Sequence, residues 1–267
     1  MDTSIKKPLS GIITTLNEES NIVDAIRSLQ QVCDEVVVVD SCSSDHTVEL
    51  ATAAGARVFS QPYLGDGIQK NVALKYVRNL WVISIDADER LTPELVNQIQ
   101  HTDFATTPFD GFAIRRRNYI GSRWVKACRW YPDYLVRIYR HDRLRFPEVK
   151  QHATVPTHGT QRWKADLIHH RYHNIGELFA KPGRNYSNRG AKILYLKGKR
   201  AYWWSPLWHG AAAFVVNYFI RGGIWGGLDG LTLSKALSLN SYLKYAKLLE
   251  YQRDKTVRES ENFDNVW

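Results

Sequence analysis

The chain has 267 residues, a formal net charge of +9, 44% hydrophobic residues and 24% charged residues. That composition excludes an extensively disordered or collagen-like polypeptide and allows one large core or a core with an appendage. Residues 115–200 hold 21 Lys or Arg against 5 Asp or Glu, a cationic middle that nucleic acid, anionic lipid or phosphorylated substrates could meet and that charge alone does not assign.

The opening "MDTSIKKPLSGIITT" has no long apolar stretch behind its lysines, so no secretory signal is expected. "SGIITTL" then reads as a strand, "ESNIVDAIRSLQQV" as a helix with Ile22, Ile26 and Leu29 on one face, and "EVVVVD" as a strand buried on both sides. The order repeats. "SDHTVELATAAG" is a helix closed by Gly55, "ARVFS" a strand, "GIQKNVALKYVRN" a helix and "WVISID" another buried strand. Pro93 opens a further helix. From residue 111 the segments "FDGFAIRRRNYIGSRW", "YLVRIYRHDRLRF", "HATV" and "DLIHHRYH" read as short strands of a partly antiparallel extension, with helix from about Ile175. The fold class expected is α/β: a mixed, largely parallel sheet flanked by helices, with a helical C-terminal extension. Residues 1–174 form the first expected domain, divided into 1–110 and 111–174, and residues 175–267 a helical region suited to membrane contact or oligomer formation. Cys33, Cys42 and Cys128 are odd in number and scattered, which argues against a disulfide framework or zinc cluster and suits a reducing cytoplasm.

Ligands of parallel sheets bind beyond the carboxyl ends of the strands, and three polar tips lie there: Leu16-Asn17-Glu18, Asp40, and Asp86 to Asp88. Asp and Asn are also common turn and cap residues. The third tip raises the sharper question, because a buried strand delivers Asp86, Asp88 and Glu89 together. Asp86 and Asp88 point to the same side of an extended tip, because alternate residues share a face. A divalent cation would relieve their repulsion, and a few oxygen ligands favour Mg2+ or Mn2+ completed by water and phosphates. A nucleotide diphosphate would suit such a site.

The segments "IITTLNEESNI", "VVVVDSCSSDHT", "GDGIQKNVAL" and "VISIDADERL" resemble, in order and spacing, the family 2 inverting glycosyltransferases with the GT-A fold. "WYPDYLVRIYR", "IHHRYH" and "YFIRGGIWGGLDGL" are similar to the bacterial branch that includes lipopolysaccharide core glucosyltransferases. The resemblance implies that Thr15, Asn17 and Glu18 line the nucleotide pocket and that Asp40 binds the base, usually uracil. It places Gln69, Lys70 and Asn71 near the donor, with Lys70 facing diphosphate charge. It puts Asp86 by the ribose or a metal-bound water and Asp88 on the metal, Mn2+ or Mg2+. Glu89 is read as favouring the amino end of the helix that Pro93 begins. Of His169, His170 and His173, His169 best fits a histidine of the related enzymes that could serve as a further metal ligand, although a structural histidine is the better reading of such a residue.

Inversion requires an acceptor hydroxyl to lose its proton, normally to a carboxylate. Related sequences place a glutamate after a histidine; here "EVKQHATV" sets His152 at the histidine and Ala153 where the base should stand. Either Glu148 or Asp133 takes the role, or the chain is catalytically impaired, or its acceptor is an ionised phosphate, as for a polyprenyl-phosphate glycosyltransferase. The segment "AYWWSPLWHGAAAFVVNYFI" has no Asp, Glu, Lys or Arg, and Ser205-Pro206 starts a helix there. Trp203, Trp204, Trp208 and Trp225, flanked by Lys197, Lys199, Arg200 and Arg221, resemble an interfacial belt. The function expected is transfer of a hexose from a nucleotide sugar, a UDP-sugar by the resemblance, to a saccharide on a lipid carrier or lipopolysaccharide core. The expected location is the inner face of the cell membrane, from the cytoplasmic side, with possible self-association through the C-terminal helices and no role for nucleic acid.

Overall fold

The computed structural model describes residues 7–149, 153–181 and 186–260. The chain divides into two compact units, Met1–Arg117 with Asp133–His169, and Asn118–Pro132 with His170–Trp267. Residues 118–132, placed by sequence in the 111–174 part of the first domain, belong to the second unit.

In the first unit the order is β1 (Lys7–Thr15), α1 (Ile22–Gln30), β2 (Cys33–Asp40), α2 (Thr47–Ala53), β3 (Arg57–Ser60), α3 (Asp66–Ala73), β4 (Trp81–Asp86), β5 (Glu89–Leu91) and α4 (Pro93–His101). Then come β6 (Gly111–Ile120), β8 (Asp133–Arg140) and β9 (Thr160–Tyr172), while β7 (Arg123–Trp124) lies in the second unit. The sheet order is β3-β2-β1-β4-β8-β6-β9-β5, with β7 on β6. The pairs β3–β2, β2–β1 and β1–β4 are parallel. Beyond β4 the pairs β4–β8, β6–β8 and β5–β9 are antiparallel. The sheet is thus mixed, parallel in its first half, as the change of pattern at residue 111 indicates.

The apolar runs form these strands because both faces of the sheet are covered. One core joins Leu9, Ile13, Ile83 and Ile85 to the Ile22, Ile26 and Leu29 face of α1; the other joins Ile12, Val37, Val39 and Val82 to Val72 and Ala73 of α3. Two expectations fail locally. "HATV" makes no strand over its described residues 153–155, since the Ala153 N–H donates to the Asp66 side chain (2.9 Å) instead of a ladder. The helix expected over residues 67–79 ends at Ala73, beyond which Tyr76 turns in to stack on Phe59 with ring centroids 3.7 Å apart.

The second unit is helical: α5 (Ile175–Lys181), α6 (Ser187–Leu196), α7 (Ser205–Val215), α8 (Gly227–Arg253) and α9 (Lys255–Ser260). Helix α7 starts at Ser205 with its proline in the first turn, continues as a π-helical turn over Val216–Ile220, and packs on α8, where His209 stacks on Tyr245 at 3.6 Å. Gly223 and Gly230 touch backbone to backbone; a Cβ on Gly230 would fall 1.8 Å from the Gly223 carbonyl, so only glycine permits this approach. No described helix is long and apolar enough to cross a membrane.

Candidate active site

The negative tip of β4 is neutralised first by the protein itself. Residues 87 and 88 form a turn, so strand alternation does not set the directions of Asp86 and Asp88. Glu89 closes the turn by accepting from the Asp86 N–H (3.0 Å). The Glu89 side chain is fully buried and pairs with Arg137 and, at 3.3 Å, with Arg116. Its role is therefore to anchor two guanidinium groups beneath the tip, which corrects the reading that tied it to the start of α4. That start is capped by Thr92, which accepts from the Leu95 N–H (3.3 Å).

Asp86 is bound by cations through both oxygens, Lys70 Nζ at 3.0 Å on one and Arg137 at 3.0 Å on the other. Burial opposes its charge, but Lys70 and Arg137 outweigh burial and hold the carboxyl well below the usual carboxylate range. Burial likewise works against the Lys70 ammonium, and Asp86 more than compensates, so its pKa is raised. The expected partner of this charge was a divalent ion; for Asp86 and Glu89 it is lysine and arginine. Three arginines of the cationic middle have the same inward use. Arg115, Arg116 and Arg117 alternate along β6, so that Arg115 and Arg117 pair with Asp166 while Arg116 faces Glu89 and Asp133.

Asp88 differs. Its Oδ2 lies 3.2 Å from His169 Nε2, because β5 pairs with β9 in a register that sets Glu89 opposite His169. Burial raises the Asp88 pKa, the His169 hydrogen bond and charge lower it, and the net shift is downward. Both residues line a cavity of about 390 Å³. Thr15, Glu18, Gln69 and Asp86, all expected at the donor, line it too. The Thr15 hydroxyl is buried without a hydrogen-bond partner.

Three expected donor residues lie outside that lining and hold the loops around it. Asp40 accepts from the Ser43 N–H (2.8 Å) and hydroxyl and shapes the loop after β2. Asn17, at φ +54°, accepts from the Ser44 N–H (2.8 Å) and holds the same loop. Asn71 clamps the backbone of Phe146 through both its amide atoms. The cavity also contains Ser41, Tyr63 and Asp66, which sequence reading missed; "GDG" carries Asp66 inside a quoted motif, and no spacing rule marks it.

A second cavity of about 130 Å³ is lined by Asp66, Lys70, Asp86, Arg116 and Arg137 on its charged side and includes Ala153 and Phe146. Glu148 is exposed and belongs to neither lining. Asp133 is forked onto Arg116 at 2.8 and 3.1 Å and also lies outside both. His152 falls outside the described residues. The segment before Ala153 is pinned at Gly67, whose N–H reaches the Val149 carbonyl (3.0 Å) and where a Cβ would sit 1.9 Å from the Pro147 carbonyl oxygen. No side chain other than glycine fits that approach.

The residues present fit a divalent ion of modest protein coordination. Among the described residues no three His, Cys, Asp or Glu side chains converge as a metal cage. The Asp88 carboxylate and His169 imidazole are adjacent on the cavity wall, and Mg2+ or Mn2+ sites of nucleotide enzymes commonly take one or two protein ligands and complete the shell with water and phosphates.

Residues 10–172 match the sequence model of glycosyl transferase family 2. The chain belongs to that family and is a transferase. It is 31% identical to an uncharacterized glycosyltransferase of Rickettsia typhi over 97% of this chain and 93% of that one. It is 30% identical to the lipopolysaccharide core biosynthesis glycosyltransferase LpsC of Rhizobium meliloti over 93% of each. Among solved structures, glucosyl-3-phosphoglycerate synthase from Mycobacterium tuberculosis, in complex with Mn2+, UDP and phosphoglyceric acid, is 28% identical over 41% of this chain and 43% of its own, with a TM-score of 0.34.

Proposed function

We propose that the protein transfers a hexose, with inversion, from a nucleotide sugar to a saccharide acceptor carried on a lipid or lipopolysaccharide core. The observation that carries this reading is the Asp88–His169 pair (3.2 Å) on a cavity at the carboxyl end of the parallel strands, within a family 2 chain. A divalent ion bound by Asp88 and His169 would neutralise charge on the departing diphosphate. Thr15, Glu18, Ser41 and Gln69 would hold the nucleoside, and the exposed ring of Tyr63 offers a stacking face to the base. Lys70, fixed between Asp66 and Asp86, would place positive charge beside the smaller cavity. The 30% identity to an enzyme named for lipopolysaccharide core biosynthesis supports a saccharide acceptor of that class. A panel of UDP-, GDP- and other nucleotide hexoses, incubated with core saccharides and read by nucleoside diphosphate release and product mass, tests it. Acceptor-dependent release with one donor is expected, and failure with every donor and acceptor would remove the reading.

The lipid side of the proposal rests on the second unit. Trp203, Trp208 and Trp225 are 73%, 64% and 88% exposed, and Leu207, Ile220 and Leu228 are exposed with them. These apolar and aromatic side chains, which share the segment 199–228 with Lys199, Arg200 and Arg221, suit an anionic membrane surface that they enter without crossing. Co-sedimentation with vesicles containing anionic phospholipid should fall at least several-fold in Trp208→Ser/Trp225→Ser. Equal binding by the variant would show that this face is not the contact.

A further inference from the structure

A carboxylate stands where the two cavities meet. Among the described residues, Asp66 and Asp86 are the carboxylates common to the lining beside Asp88 and His169 and to the lining beside Ala153. The two are committed differently. Both oxygens of Asp86 face buried cations at 3.0 Å, a permanent counter-charge for Lys70 and Arg137. Asp66 has one cation, Lys70 Nζ at 3.1 Å on Oδ1, and a neutral donor, the Ala153 N–H at 2.9 Å on Oδ2; its side chain is 27% accessible, against 34% for Asp86. An ionised carboxylate has about four lone-pair sites on its two oxygens, so each oxygen of Asp66 can still receive a hydroxyl. Its direction is fixed from three sides: by its place in the first turn of α3, by the ion pair with Lys70, and by the backbone of Ala153.

We propose that Asp66 is the general base of the transfer reaction. In the step, the acceptor hydroxyl gives its proton to Asp66 as its oxygen bonds to the anomeric carbon. The bond from that carbon to the phosphate oxygen breaks, and its electron pair leaves with the nucleoside diphosphate. The assignment rests on the reading of the protein as a transferase acting on a sugar hydroxyl. It also gives Ala153 a role. An ideal Cβ at Gly67 would lie 3.0 Å from the Ala153 Cβ, so the start of α3 and residue 153 are packed closely. A small side chain at 153 lets its N–H approach the Asp66 carboxylate, and the proton acceptor is carried by the helix instead of by the loop. Lys70, itself held by Asp86, then keeps the carboxylate oriented where the two linings join.

The test is Asp66→Asn, which preserves size and removes basicity, assayed beside the wild type with the donor and sugar acceptor found active in the panel. Expected are a fall in kcat of about 10²–10⁴-fold, a donor KM within a few-fold of wild type, and loss of the acid limb of the kcat/KM profile. Asp66→Glu, which keeps a carboxylate, should retain more activity than Asp66→Asn. Thermal melts and nucleoside diphosphate binding separate a chemical loss from a folding loss. If Asp66→Asn does not fold, Asp66→Ser takes its place: a comparable fall in kcat supports the base, and activity within tenfold of wild type overturns it. Wild-type transfer with Asp66→Asn within tenfold overturns the assignment while leaving the function intact. Transfer by both proteins to polyprenyl phosphate, with none to a sugar, overturns it too, since an ionised phosphate needs no base. No transfer by the wild type to any acceptor would instead remove the functional reading on which the assignment stands.

Discussion

Asp88→Ala is expected to abolish glycosyl transfer, with a loss of about 10³-fold or more. The size follows from what the carboxylate holds. A divalent ion at a departing diphosphate is worth several kcal/mol of transition-state stabilisation, and each 1.36 kcal/mol is about tenfold in rate. Among the tip carboxylates Asp88 is the one whose neighbour is an imidazole, His169 at 3.2 Å, while Asp86 and Glu89 are taken by Lys70, Arg116 and Arg137. His169→Ala should show a smaller loss in the same direction, because one carboxylate and the diphosphate oxygens remain. The fold should survive the change at Asp88, which sits in a turn with 28% of its side chain accessible.

Arg137→Met should do the opposite, harming the fold before the chemistry. Arg137 is 5% exposed and its guanidinium joins fully buried Glu89 to Asp86. Removing one partner of a buried ion pair leaves an uncompensated charge and costs about 3–5 kcal/mol, close to the whole stability of a marginal domain. Denaturant unfolding followed by tryptophan fluorescence would measure it. Glu89→Gln/Arg137→Met, which removes both charges, should recover part of the loss; an equal or larger loss in the double variant would mean that the pair is not the source. The same network sets the response to pH. Asp86 has a depressed pKa, so its contribution is complete above the unfolded value of about 3.9 and is lost as pH falls through its lower folded value. Lys70 has a raised pKa, so its contribution is complete below about 10.4 and is lost as pH rises through its higher folded value. Between about pH 4 and 10 these two groups make stability flat.

The parallel half of the sheet was readable from the sequence because its strands are unbroken apolar runs and α1 carries one clear apolar face. Strand β5 escaped because Glu89-Arg90-Leu91 is three residues long and largely charged; it exists through its pairing with β9, a contact spanning some 80 residues that no local pattern announces. The site divides in the same way. Asp86 and Asp88 announce themselves as charge at the end of a buried strand. That their charges are met differently depends on Arg137, which looks in sequence like any arginine of "YLVRIYR" and is nearly sealed from solvent in the fold. Asp40 and Asn17 look alike as polar tips, and only the distances to Ser43 and Ser44 show that they build the loop. Asp66 was invisible for a related reason: its significance comes from Ala153, 87 residues away along the chain.

The most direct test of the account is a calorimetric titration of UDP, GDP and the other nucleoside diphosphates of the donor panel into the wild-type protein and Asp88→Ala, each with Mn2+ and with EDTA. The account predicts that one nucleoside diphosphate binds the wild type tightly with Mn2+ and at least tenfold more weakly with EDTA, and that Asp88→Ala shows the weak value in both. Equal affinity in all four conditions would contradict a metal-assisted donor site at Asp88 and His169.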